Sequence, residues 1–166
     1  MIRRVHLLST PNVQPVAADY LDVFSGFTRR FAELLTELGV EVHLYGSETT
    51  DAPCQELVTC ISKDDQAKFL GEKSYHECWY DADNPMFQHF NVRAAAGIQA
   101  RKEPGDVIAT IAGSAQAPIW LQHQELPFLE YSIGYRGVCA PYRVFQSHAW
   151  RCVVHGFTHH EYGRRM

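Results

Sequence analysis

The stretch 24–47, FSGFTRRFAELLTELGVEVHLYGS, decides the fold. Phe24, Phe27, Phe31, Leu34, Leu35 and Leu38 recur at spacings of three and four, the repeat that puts apolar side chains on one face of a helix. Gly39 stands where a helix end favours a left-handed residue. Val40, Val42 and Leu44 then alternate with Glu41, His43 and Tyr45 as far as Gly46-Ser47, the pattern of a strand that stops at a turn. Working outward, Arg4–Ser9 (RVHLLS) is a short apolar run suited to a buried first strand. Strand, helix and strand within about forty residues make a βαβ unit, with a right-handed crossover and parallel strands.

The alternation continues downstream. Val58–Ile61 predicts a further short strand, whereas Asp64–Asp83 has no steady period and reads as mixed helix and loop. Phe87, Phe90, Ala94 and Ile98 mark another amphipathic helix, stopped by Pro104-Gly105. Val107–Ala112 is the near-continuous apolar run of a strand covered on both faces. Ser114 is the expected N-cap of a short helix through Leu121, and Phe128–Ile133 is the next strand. Pro141, suited to a first helical position, predicts a helix carrying Val144, Phe145, Ala149 and Val153. Together these elements specify an α/β chain: a Rossmann-like three-layer sandwich with a mostly parallel open sheet, in a single domain over residues 1–166.

Composition agrees with one such domain. The chain has 166 residues, 46% of them hydrophobic, and a formal charge of −4. That charge argues against nucleic acid as an electrostatic partner, although not as an acceptor in a reaction. Acids crowd the middle, with nine between Gly46 and Met86 against Lys63, Lys68 and Lys73. From Phe128 onward Arg136, Arg143, Arg151, Arg164 and Arg165 face only Glu130 and Glu161. Five cysteines without a C-x-x-C pair suit reduced thiols. The opening apolar stretch, Val5–Leu8, is too short for a signal core or a membrane span, so a cytoplasmic location is expected.

Ligands of open α/β sheets sit beyond the carboxyl ends of the strands, which selects Thr10–Asn12, Gly46–Glu48, Gly113–Gln116 and Glu130–Arg136. The first βα turn, Thr10-Pro11-Asn12-Val13-Gln14-Pro15, contains no glycine, so no dinucleotide fingerprint is encoded there. P-loop and nucleophile-elbow motifs are also absent. Glu130, in an apolar strand beside a glycine turn, suits either a general base or binder of sugar hydroxyls, or a structural carboxylate bonded to backbone amides at the next helix N-terminus. Gly113-Ser114-Ala115-Gln116 offers amides at a helix start, a modest site for an anion or a hydroxyl. His148, Cys152, His155 and His159 are spaced for one helix face, but Gly156 interrupts them and no carboxylate completes a zinc set, so no metal is assigned.

The segment Glu130-Tyr131-Ser132-Ile133-Gly134-Tyr135, followed by Arg143-Val144-Phe145-Gln146-Ser147-His148-Ala149-Trp150, resembles a family of phage and bacterial glycosyltransferases. That family carries Glu-x-Gly-Ile-Gly-Tyr and Arg-Val-Phe-Glu-Ser-x-Ala-Trp at the corresponding places. Val42–Glu48, Phe90-Asn91-x-Arg93-Ala94 and the Gly105-Asp106 strand add to the likeness, which runs over nearly the whole chain. Ser132 stands where the family tends to have glycine, and Gln146 where it tends to have glutamate.

The resemblance implies one lobe of the two-lobed GT-B architecture, the N-terminal, acceptor-binding one. A nucleotide sugar would be the donor substrate, with no tightly bound cofactor. The acceptor would be a sugar acceptor of open type, and the partner a donor-binding lobe or a further copy of the chain. On that basis Glu130 is the candidate base and His123 the alternative. Thr10, Asn12, Ser114, Gln116 and Tyr135 would line the acceptor groove, with Arg136 reaching toward donor phosphate. The rival expectation is a non-catalytic Rossmann-like binding module for a sugar, nucleotide or protein. An enzyme using another cofactor, such as S-adenosylmethionine, has no glycine-rich first loop to support it.

Overall fold

Six parallel strands in the order β3-β2-β1-β4-β5-β6 form one open sheet in the computed structural model, which describes residues 2–12 and 22–163, with only backbone described beyond residue 157. The end of the loop after Pro11 and Asn12, from Val13 through Pro15, lies outside the described residues, as do Arg164 and Arg165. The elements run β1 (Arg4–Leu8), α1 (Val23–Glu37), β2 (Glu41–Ser47), β3 (Glu56–Ile61), α2 (Lys63–Leu70), α3 (Pro85–Gln99), β4 (Val107–Thr110), α4 (Ala117–Leu121), β5 (Phe128–Ile133), β6 (Tyr142–Phe145) and α5 (His148–Gly163). Short 3-10 turns occupy Tyr75–Glu77 and Gly113–Gln116.

The period of two along each strand sends alternate residues to opposite layers. Leu8, Tyr45, Ile108 and Phe128 pack with Phe90, Ala94 and Ile98 of α3 and Ile119 of α4 on one face. Val5, Leu7, Val42, Leu44, Ala109 and Tyr131 pack against Ala32, Phe27, Phe31 and Leu35 of α1 on the other. This is the expected three-layer sandwich. The inward line of α1 is centred on Ser25, Thr28 and Ala32, flanked by the phenylalanines, so Leu34 and Leu38 remain exposed. Asp22 caps α1 by accepting the Ser25 amide at 2.9 Å, and Gly39 takes φ +73° just past its end. No helix among the described residues is long and apolar enough to cross a membrane.

Two expectations are corrected. Ser114 does not cap a helix: it sits inside the 3-10 turn and its amide donates to the Gly137 carbonyl at 2.9 Å. The helix predicted from Pro141 begins only at His148, and Tyr142–Phe145 is instead a sixth parallel strand on the free edge of β5. Tyr142, Val144 and Phe145 are of the aromatic and β-branched types that suit a strand, and Pro141 precedes the first paired residue, where no ladder donor is lost.

Candidate functional site

Strand order reverses between β1 and β4, so the chain leaves these neighbours toward opposite layers and opens a crevice at their carboxyl ends. Thr10 and Asn12 form one lip and Gly113–Gln116 the other. Asn12 is buried, and its Nδ2 donates to the Tyr75 carbonyl and to the Tyr80 hydroxyl oxygen, each at 3.1 Å. Its Oδ1 has no hydrogen-bond partner among the described residues. Thr10 is buried beside the same Tyr80 hydroxyl.

Aromatic rings from three elements stand together here. The Phe24 ring lies 5.0 Å from that of Tyr80 and 5.8 Å from that of Tyr135. Burial pushes the Tyr80 hydroxyl up to about 12. Burial, helped by the neighbouring Glu130 charge, raises Tyr135 well above the usual tyrosine range. Both therefore stay protonated donors at neutral pH. Phe24 and Tyr80 were not expected at the site, because Phe24 reads as a core position of α1 and Tyr80 falls in the aperiodic acidic stretch.

Glu130 is 0% exposed, and its carboxylate is held from three sides. The Tyr135 hydroxyl donates to Oε1 at 2.7 Å, while the amides of Cys139 and Ala140 donate to Oε2 at 2.9 and 3.1 Å. These donors all belong to Gly134–Pro141, the eight residues that join β5 to β6. Parallel neighbours usually need a crossover of roughly a dozen residues or more containing a helix. Here a buried carboxylate folds the short link against the sheet in place of a helix. Gly113, at φ +54°, allows the β4 loop to meet that link, since a Cβ there would lie 2.5 Å from the Gly137 oxygen and 3.1 Å from Glu130 Oε1. Oε2 is thus taken by backbone amides of the link into β6 rather than of a helix N-terminus, while Oε1 is bonded to the Tyr135 hydroxyl.

The remaining expected residues are distributed unevenly. Ser114 is exposed on the crevice lip and Arg136 is exposed at the turn after β5, its guanidinium 4.0 Å above the Phe157 ring of α5. Gln116 is at the crevice floor but fully buried: its Nε2 donates to the Ser9 carbonyl at 2.7 Å, and its Oε1 accepts from Thr110. It ties β1 to β4 and does not present its amide to a ligand. The amides expected to be open at Gly113–Gln116 are likewise partly engaged, Ser114 by Gly137 and Ala115 by Ala112. His123 is not brought to this edge. It follows α4, which has already run back to the amino ends of the strands, and its Nε2 donates to the Ala95 carbonyl at 3.0 Å while Lys102 donates to Nδ1 at 3.2 Å.

The two departures from the glycosyltransferase pattern touch each other. Ser132 has φ +53°, a left-handed conformation that suits glycine and strains a side chain. Gln146 Nε2 donates to the Ser132 carbonyl at 3.0 Å, and Gly134 is packed so closely on the Gln146 amide that a Cβ would lie 2.7 Å from its oxygen. On α5, Cys152 Sγ is 3.6 Å from His148 Nδ1, and the His159 side chain lies outside the described ones. No group of three or more histidine, cysteine or acidic side chains able to hold a metal occurs among the described residues. Compared with protein-family models and with curated proteins, the chain has no match.

Proposed function

We propose that this chain is the acceptor-binding lobe of a GT-B-like glycosyltransferase, in which an acceptor hydroxyl held in the β1–β4 crevice attacks a nucleotide-activated sugar held by a second lobe. The observation that carries this reading is the mutual packing of the two segments bearing the resemblance. Glu130–Gly137 and Arg143–Trp150 meet through Gln146, Ser132 and Gly134. In this reading Asn12 Oδ1 accepts an acceptor hydroxyl, and Phe24, Tyr80 and Tyr135 supply flat walls for a sugar ring. Ser114 contributes a hydroxyl at the lip, and the exposed Arg136 meets donor phosphate.

Glu130 acts as base at one remove. The acceptor hydroxyl gives its proton to Tyr135 Oη while the Tyr135 proton passes to Glu130 Oε1, the bond already formed at 2.7 Å. The nucleotide sugar is a substrate, and no resident cofactor takes part. The full engagement of Glu130 favours a second reading, a non-catalytic module that binds a saccharide in the same crevice.

Incubating the chain alone with a panel of uridine, guanosine and thymidine diphosphate sugars tests the lobe assignment. The expected result is neither hydrolysis nor transfer, with saturable binding confined to saccharides. Turnover by this chain alone, or binding of nucleotide sugars without binding of saccharides, overturns the assignment.

A further inference from the structure

A hollow lined by other residues lies between the end of α2, the Tyr75–Glu77 turn and the start of α3. Its volume is about 200 Å³, and its walls include Lys68, Phe69, Lys73, Glu77, Cys78 and Trp79. None of these lines the crevice. Trp79 is 55% exposed, an unusual state for the largest apolar side chain, so much of its ring is left uncovered. The Lys73 ammonium sits 6.0 Å from the centre of that ring. Neither Lys68 nor Lys73 is paired with an acid among the described residues. Glu77 is oriented by the Ser74 amide, which donates to Oε2 at 2.8 Å, leaving Oε1 to accept from another group.

The lining brings together an aromatic ring, two ammonium groups and a carboxylate, which select a ligand with three matching parts. Trp79 takes a ring with an apolar C–H face, the lysines take one anionic group, and Glu77 takes hydroxyls. Size narrows the choice further. A hollow of about 200 Å³ is smaller than the roughly 300–1,000 Å³ of drug-sized ligand sites, so it admits a single ring with a small substituent rather than a whole nucleotide. We infer that this hollow binds a monosaccharide bearing one phosphate or carboxylate, its ring on Trp79 and its anion between Lys68 and Lys73. The inference goes beyond the transfer reading and does not depend on it.

The hollow and the crevice also share a segment of chain. Trp79 lines the hollow, whereas the next residue, Tyr80, turns to Asn12 and Phe24. Trp79 and Tyr80 thus face the hollow and the crevice from one short segment.

Calorimetric titration of the intact chain with glucose 6-phosphate, glucuronate, glucose and inorganic phosphate tests the inference. At least one anionic sugar is expected to bind saturably, and which of the two binds separates a phosphate from a carboxylate ligand. Glucose and inorganic phosphate are each expected to bind at least about tenfold more weakly. Trp79→Ala, and Lys68→Gln combined with Lys73→Gln, are each expected to weaken the anionic sugar at least about tenfold. These side chains lie at the surface, and circular dichroism verifies that the variants are folded. Inorganic phosphate binding as tightly as glucose 6-phosphate, unchanged affinity in Trp79→Ala, or no saturable binding of either anionic sugar overturns it.

Discussion

At the scale of single residues, Glu130 carries the local architecture. A buried carboxylate that accepts one hydroxyl and two amide hydrogen bonds gains from the charge on the acceptor, which makes such bonds stronger than neutral ones. Glu130→Gln keeps the shape and one carbonyl oxygen but removes that charge and turns an amino group toward donors. It is expected to lower stability by about 2 kcal/mol, seen as a reduced urea midpoint; an unchanged midpoint would refute the clasp role. The sequence showed Glu130 in an apolar strand beside a glycine turn, which is enough to mark it. The same letters could not show the clasp, because it depends on where the Cys139 and Ala140 amides fold back. Gln116 illustrates the same limit. Its place after β4 was legible, but its bond to the Ser9 carbonyl spans residues far apart in sequence.

At the scale of elements, the strongly periodic pieces were legible and the paired edge was not. The heptad-like spacing of α1 and the alternation in β2 are local signals that packing reinforces. Tyr142–Phe145 is four residues long, and its phase also matches Ala149 and Val153. Only the free edge of β5, a tertiary fact, decides that these residues pair as a strand. Close approach of α3 to the sheet is equally invisible in sequence. A Cβ at Gly97 would lie 2.9 Å from Tyr45 Cε1 and 3.1 Å from Val58 Cγ1, whereas one at Gly156 of α5 meets nothing within 4 Å. Tyr45 is fully buried and its hydroxyl is bonded to His6 Nδ1 at 2.9 Å, so its ring has little room to yield. Gly97→Ala should therefore destabilise the protein by about 1 kcal/mol despite the gain in helix propensity. Gly156→Ala should stabilise it by up to about 1 kcal/mol. Thermal unfolding of the two variants verifies the opposite signs, and equal shifts would contradict this packing.

At the scale of the whole molecule, the two ends of the sheet have different chemistry. The amino end holds a buried network in which Asp106 accepts from Arg4 at 3.3 Å and from His6 Nε2 at 3.1 Å, with Tyr45 donating to His6 Nδ1. Burial pushes His6 down to about 4, against a smaller upward pull from Asp106. Since this folded value lies below the ordinary 6.5, the unfolded chain takes up the proton first as pH falls. The stabilising effect of neutral His6 is complete above pH 6.5 and is lost progressively between 6.5 and 4, about 3 kcal/mol in all. Urea unfolding across that window should show stability falling with pH, and His6→Gln should flatten the slope even though it lowers stability overall. Equal slopes would contradict it.

The carboxyl end instead carries the open crevice, with Asn12, the three aromatic rings and Ser114 at its walls and Arg136 on its rim. Glycan-array binding by the intact chain, compared with its Ser114→Trp and Trp79→Ala variants, tests most directly whether that crevice takes a saccharide. Selective binding to a subset of glycans is expected, abolished in Ser114→Trp, which fills the crevice from an exposed lip, and retained for part of that subset in Trp79→Ala. No glycan bound, or binding that survives Ser114→Trp unchanged, would contradict it.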